Sequence, residues 1–134
     1  MLKAEFESLA QFRYQLRRFL RFSEEVTRRH GVTPLQYLLM LQIKGFPGRD
    51  WATVVELAER LQAKHHGVVA LISRCEMAGL VARNVSRSDM RLVEVKLTKK
   101  GEQCLEQLAR LHRAEHLSLA GQFAMPNLTM DSFA

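Results

Sequence analysis

Met77-Ala78-Gly79-Leu80-Val81-Ala82-Arg83, Asn84-Val85-Ser86-Arg87-Ser88-Asp89-Met90-Arg91-Leu92 and Val93-Glu94-Val95-Lys96-Leu97-Thr98-Lys99-Lys100-Gly101 form one continuous stretch, and its reading decides the fold. A helix ends in it at Ala78, with Gly79 as the residue that lets the chain turn out of the helix. The apolar period then changes. Leu80–Val85 reads as a strand. Val93, Val95 and Leu97 alternate with Glu94, Lys96 and Thr98, which predicts a second strand with one face in solvent. Between them Ser86-Arg87-Ser88-Asp89-Met90-Arg91 is a polar hairpin tip. Thr98 can cap a last helix running from Lys99 to about Gln122.

Upstream, Val68, Leu71, Ile72 and Cys75 fall at i, i+3, i+4 and i+7, which predicts a helix from about His65 to Ala78 with those four in the core. Thr53-Val54-Val55-Glu56 is a capping box that opens a short helix ending near Leu61. Two short helices joined by a few residues and followed by a hairpin make a winged helix-turn-helix. The second helix of such a pair is slim enough for the major groove of DNA. A basic hairpin beside it can reach the backbone or the adjacent minor groove.

Further upstream, Thr33-Pro34-Leu35-Gln36 is another helix start, with Thr33 as cap, Pro34 at the first helical position and Gln36 closing a capping box. Leu35, Leu38, Leu39, Leu41 and Ile43 make that helix strongly apolar, and it is expected to be buried. Gly45-Phe46-Pro47-Gly48 ends it, and Phe46 and Trp51 are expected to pack near the connection before the next helix, with the lining of a ligand pocket as the alternative. Residues 3–30 read as one long amphipathic helix stopped by Gly31. Leu2, Leu9 and Leu16 recur every seven residues, and Phe12, Phe19 and Val26 recur on the same period. Phe6 and Leu20 widen the stripe. This is a packing seam with a period of about 3.5.

Composition narrows the function. No apolar run approaches the ~20 residues that span a bilayer, and no membrane partner is expected. The first residues lack the apolar core and cleavage site of a signal peptide. Cys75 and Cys104 are too few for a disulfide framework and suit a reducing cytosol, so a cytoplasmic protein is expected. The net charge is +6. Residues 57–101 carry nine Lys/Arg against four Asp/Glu, whereas residues 102–134 carry two against four. That concentration points to a polyanion-binding face rather than to general solubility.

The motifs Glu56-Leu57-Ala58-Glu59-Arg60-Leu61, Met77 to Arg83, Asp89-Met90-Arg91 and Leu97-Thr98-Lys99-Lys100-Gly101, in this order and at this spacing, resemble the MarR family of bacterial regulators over roughly residues 33–101. The resemblance implies a mainly helical fold of order helix-helix-strand-helix-helix-strand-wing-strand-helix. Residues 1–30 and 99–134 would then be dimerisation helices and residues 31–98 the DNA-binding domain. It implies a homodimer that binds an inverted repeat in double-stranded DNA and regulates transcription, as repressor or activator. Arg91 becomes the wing arginine at the minor groove and Asp89 the residue that holds it. The recognition helix departs from the family, where a Ser/Thr-rich start is common. Here Lys64-His65-His66-Gly67 stands there, and Lys64, His65 and His66 are expected to meet phosphate at the helix start. Val69 and Ala70 are expected to point outward toward thymine methyls and Arg74 toward phosphate or guanine, with Arg87 of the basic wing also expected to bind DNA.

The seam of Leu9, Phe12, Leu16, Phe19 and Leu20 is expected to pair two chains. The last helix is short for the family, so the contact is expected to rest more on residues 3–30. The family often binds small aromatic or amphipathic acids between its dimer region and its winged domain, which leaves a place for such a ligand. A second reading stays open, a winged helix that binds another protein and no operator. Catalysis is not expected. His65 and His66 have no partnered nucleophile, glycine-rich phosphate loop or carboxylate pair beside them. No cofactor and no metal are expected. His112 and His116 share a helix face with Cys104 nearby, but no further ligand stands at a recognisable spacing, and these histidines read as solvent or dimer-interface residues. Cys75 reads as core.

Overall fold

Three of the five helix starts are closed by a threonine. Thr33 accepts a hydrogen bond from the Gln36 amide at 3.1 Å and opens α2, Pro34–Lys44. Thr53 accepts from Glu56 at 3.3 Å and opens α3, Val54–Leu61. Thr98 accepts from Gly101 at 3.0 Å and opens α5, Lys99–Ser118. The fourth start belongs to α4, His65–Met77, where Lys64 stands at the cap and offers no side-chain bond. The chain begins with α1, Lys3–Arg29. Three short strands complete it: β1, Trp51–Thr53, β2, Val81–Val85, and β3, Val93–Leu97. The computed structural model describes residues 1–119 and 123–128. The expected end of the last helix at Gln122 lies outside the described residues; α5 closes at Ser118.

The strands form an antiparallel sheet in the order β1-β3-β2, with Ala52 opposite Val95 and Val81 opposite Leu97. Those four residues are buried and form the inner face of the sheet. Against them pack Leu39, Met40 and Ile43 of α2, Leu57 of α3, and Val68, Leu71, Ile72 and Cys75 of α4. The expected core face of α4 is thus buried at all four positions, because residues at i, i+3, i+4 and i+7 share one side of a helix. Leu105 and Leu108 of α5 close the core on another side. Gly79 adopts φ +76, which frees the chain to leave α4 and enter β2. Among the described residues no helix is long and apolar enough to cross a membrane.

One expectation needs correction. The second helix is not buried all round. Tyr37, Leu39, Met40 and Ile43 face the core, whereas Leu35 and Leu38 are exposed. Eleven residues make about three turns, and a helix flanked on one side by α1 and α5 and on the other by α3 and α4 still leaves one side in solvent. The seam of α1 is likewise incomplete within one chain. Leu9, Phe12, Leu16 and Phe19 are half-buried and Leu20 is exposed, while the residues fully buried on α1 are Glu5, Gln15, Ser23, Val26 and Thr27. An apolar stripe left half-wet by its own chain is the face a second chain would cover.

Candidate nucleic-acid interface

The hairpin tip is built from inside. Ser86 is buried, and its amide donates to the Leu92 carbonyl at 2.9 Å. Its Oγ accepts from the amides of Ser88 and Asp89, each at 3.3 Å. Asp89 then accepts from Arg91 three times. The Arg91 amide and Nε donate to Oδ1 at 3.0 and 3.1 Å, and a terminal guanidinium nitrogen donates to Oδ2 at 3.1 Å. The Arg91 side chain is nevertheless 90% exposed. These bonds hold the Asp89 carboxyl below the usual carboxylate range, the Arg91 guanidinium contributing most. The expected Asp89–Arg91 pair is therefore present and leaves part of the guanidinium free to face a ligand. Ser86 went unnoticed in sequence, although a serine at the start of a tight turn is a recognised signal for such amide capture.

The N-terminal turn of α4 presents Lys64, His65, His66 and Gly67 to solvent, with Ala70 and Arg74 exposed further along. Because Lys64 supplies no cap, the first amides of α4 have no side-chain acceptor, and they add to the positive end of the helix. Val69, expected to point outward, is half-buried. It sits about 60° around the helix from buried Ile72, at the edge of the apolar face. Arg87 is exposed on the rising side of the wing.

Two clusters brace this surface. Arg49 lies over the rings of Phe46 and Trp51, at 4.1 and 3.9 Å, and its guanidinium pairs with Glu56. Partial burial pushes the Glu56 carboxyl up, but bonds from Thr53 and Arg49 outweigh it and leave it below its ordinary value. Phe46 and Trp51 thus pack where expected, around a cation the sequence did not single out. Behind α4, Arg83 of β2 donates to Ser73 Oγ and Glu76 Oε1, both at 3.0 Å.

His112 departs from its expected place. It is buried, its Nδ1 donates to the Leu108 carbonyl at 2.7 Å, and its Nε2 lies 2.8 Å from Ser23 Oγ. Its ring stacks on Tyr37 at 4.3 Å. Both ring nitrogens are engaged, so the imidazole has no lone pair to offer a metal. Among the described residues no three His, Cys, Asp or Glu side chains gather as a metal site. His116 is exposed and lies 4.7 Å from the ring of Phe19. Around these two histidines α1, α2 and α5 enclose a cavity of about 380 Å³, lined among others by Phe19, Tyr37, Leu38 and Leu41.

Cys75 is buried, and burial pushes its thiol up to about 11. At pH 8 roughly one molecule in a thousand would then carry the thiolate. A thiol reagent at that pH should label half-buried Cys104 first and reach Cys75 only when denaturant unfolds the domain. Labelling of Cys75 at the same rate in folded and unfolded protein would contradict its place in the core.

A capped three-stranded sheet, a helix pair and a hairpin with its own anchored arginine define a winged helix-turn-helix protein. Residues 30–92 match the sequence profile of the MarR family. The family is one of transcriptional regulators, not of enzymes. Over 78 residues the chain is 31% identical to the HTH-type transcriptional repressor MdtR of Bacillus subtilis (strain 168), covering 58% of this chain and 48% of that protein. The chain thus spans about half the length of that curated relative. Among solved structures it is similar to a cysteine-to-serine mutant of MarR from E. coli, at 26% identity and a TM-score of 0.69, covering 87% of this chain and 81% of that one. A mutant of MepR from S. aureus, solved bound to an oligodeoxyribonucleotide, shares the fold at 20% identity and a TM-score of 0.68, covering 91% and 84%.

Proposed function

We propose that this chain is a cytoplasmic, DNA-binding transcriptional regulator that reads an inverted repeat as a homodimer. Residues 31–98 bind the duplex, and residues 1–30 and 99–134 pair the two chains. The observation that carries the reading is the wing tip. A guanidinium fixed by two bonds to Asp89, with a third from the Arg91 amide, yet 90% exposed is a cation pre-oriented for an external anion. The uncapped start of α4 supports it, since free amides beside Lys64, His65 and His66 favour phosphate. Ala70 and Arg74, with the exposed edge of Val69, then face base edges, while Arg87 and Arg91 follow the backbone into the minor groove. That a MepR mutant of the same fold was solved bound to an oligodeoxyribonucleotide supports DNA binding. The cavity between α1, α2 and α5 suits a small aromatic or amphipathic ligand, because it joins the dimer helices to the winged domain.

The test is a mobility shift on duplexes selected from a random library, at two salt concentrations. Binding that prefers the selected duplexes and weakens as salt rises supports the reading. Equal indifference to both duplexes would favour a winged helix that binds protein instead. The dimer has its own check. Wild-type protein at micromolar concentration should sediment as a dimer, and Leu16→Glu should sediment as a monomer with its helical signal retained. A wild-type monomer under those conditions would overturn the pairing.

A further inference from the structure

Arg83 stands at the place where the wing leaves the body of the domain. It pairs across the sheet with Val95, which is buried. One and two residues further out Asn84 and Val85 are exposed, and the hairpin runs on to its tip. Among the described residues the bonds from Arg83 to Ser73 and Glu76 are the only side-chain hydrogen bonds between α4 and the two wing strands. Ser73 and Glu76 are three apart and so share one side of α4, while Arg74 between them is exposed. The planar fork of a guanidinium fixes direction as well as distance when it bonds two partners.

We propose that Arg83 is a positioning residue for DNA recognition: through Ser73 and Glu76 it sets the angle at which the wing leaves α4, and so where Arg91 stands relative to Arg74 and the start of α4. This rests on the DNA-binding reading above. The ion pair is partly exposed, 31% at Arg83 and 41% at Glu76, and a pair that wet contributes little to stability. Its loss should therefore be felt in recognition before it is felt in melting.

The experiment is a double-mutant cycle of Arg83→Ala and Arg91→Ala on a selected duplex, with melting temperatures measured alongside. Arg83→Ala should weaken binding by about tenfold and shift melting by only a few degrees. Arg91→Ala should then cost much less in the Arg83→Ala background than in the wild type, because an unpositioned wing arginine has less to lose. Glu76→Gln gives an independent reading. General electrostatics says that removing a carboxylate strengthens binding to a polyanion, whereas loss of the Arg83 bond should weaken it. Additive costs in the cycle, or tighter binding by Glu76→Gln, would overturn the proposal while leaving DNA binding intact. A wild-type protein that binds no duplex would overturn both. Should Arg83→Ala fail to fold, Arg83→Lys replaces it in the cycle, keeping the charge and losing the fork.

Discussion

Gly101→Ala should lower the melting temperature by roughly 10 °C and cost about 3 kcal/mol of stability. Gly101 is the third residue of α5, where Thr98 caps the helix and the sheet hands over to it. A methyl group there would stand 2.0 Å from the Leu80 carbonyl oxygen and 2.9 Å from its carbon. Both obstacles are backbone, and neither can swing aside. Leu80 is itself held, since its carbonyl accepts from the Thr98 amide at 3.0 Å and its amide donates to the Cys75 carbonyl at 2.9 Å. Relief requires the start of α5 to move away from the α4–β2 junction, which opens the packing around Leu80, Val81 and Leu97. Alanine favours a helix over glycine by about 1 kcal/mol, and that gain is too small to offset the clash. Gly67→Ala is the control. Nothing lies within 4 Å of the added methyl in α4, so the same substitution should be neutral or stabilising. Calorimetry of the two variants side by side checks it; equal melting temperatures would mean that Leu80 and Gly101 are not in contact.

Arg91→Ala should weaken binding to selected and random duplexes alike, by about 1–3 kcal/mol for each protomer. The substitution removes an exposed cation at the end of a rigid tip and leaves the Ser86 bonds that shape the tip in place. Fewer counterions are released on binding, so the salt dependence should become shallower as well. Asp89→Ala separates charge from placement. It frees the guanidinium and removes a carboxylate from the surface facing DNA, so its loss should be smaller and its salt dependence no shallower than wild type. Substitution at Ala70 should behave differently again, altering preference at particular base pairs rather than affinity for every sequence. Titration of each variant on both duplexes at two salt concentrations decides the matter. An Arg91→Ala protein indistinguishable from wild type at both salts would remove the wing from the interface.

Much of the architecture was legible because it is local. Thr33, Thr53 and Thr98 each bond an amide three residues on, and a contact of that range survives whatever the rest of the chain does. The core face of α4 follows from the helical period alone. The Asp89–Arg91 pair spans two residues, so its geometry is set by the turn that contains it. Ser86 belongs to the same class and was readable in principle, as a serine opening a turn.

His112 shows what was not legible. Its spacing from His116 says that the two share a face of α5, and nothing in that spacing says which face is wet. The answer depends on Ser23, 89 residues away, and on the ring of Tyr37, and so on how α1 and α2 close over α5. Leu35 and Leu38 make the complementary case, apolar residues left outside because the neighbours of α2 cover only part of its surface.

The sequence by itself determined the order of elements, the helix starts, the core side of α4, the basic wing with its anchored arginine, and hence the resemblance to the MarR family. Only the tertiary structure decided that Arg83 clamps α4 to the wing, that Arg49 is held between two aromatic rings, and that Gly101 touches the Leu80 carbonyl. It also decided that a cavity opens between α1, α2 and α5. The division has one physical cause. Interactions within about four residues are dictated by the period and capping chemistry of their own segment. Interactions between segments depend on how whole faces pack, and packing is settled by all the side chains of the core together.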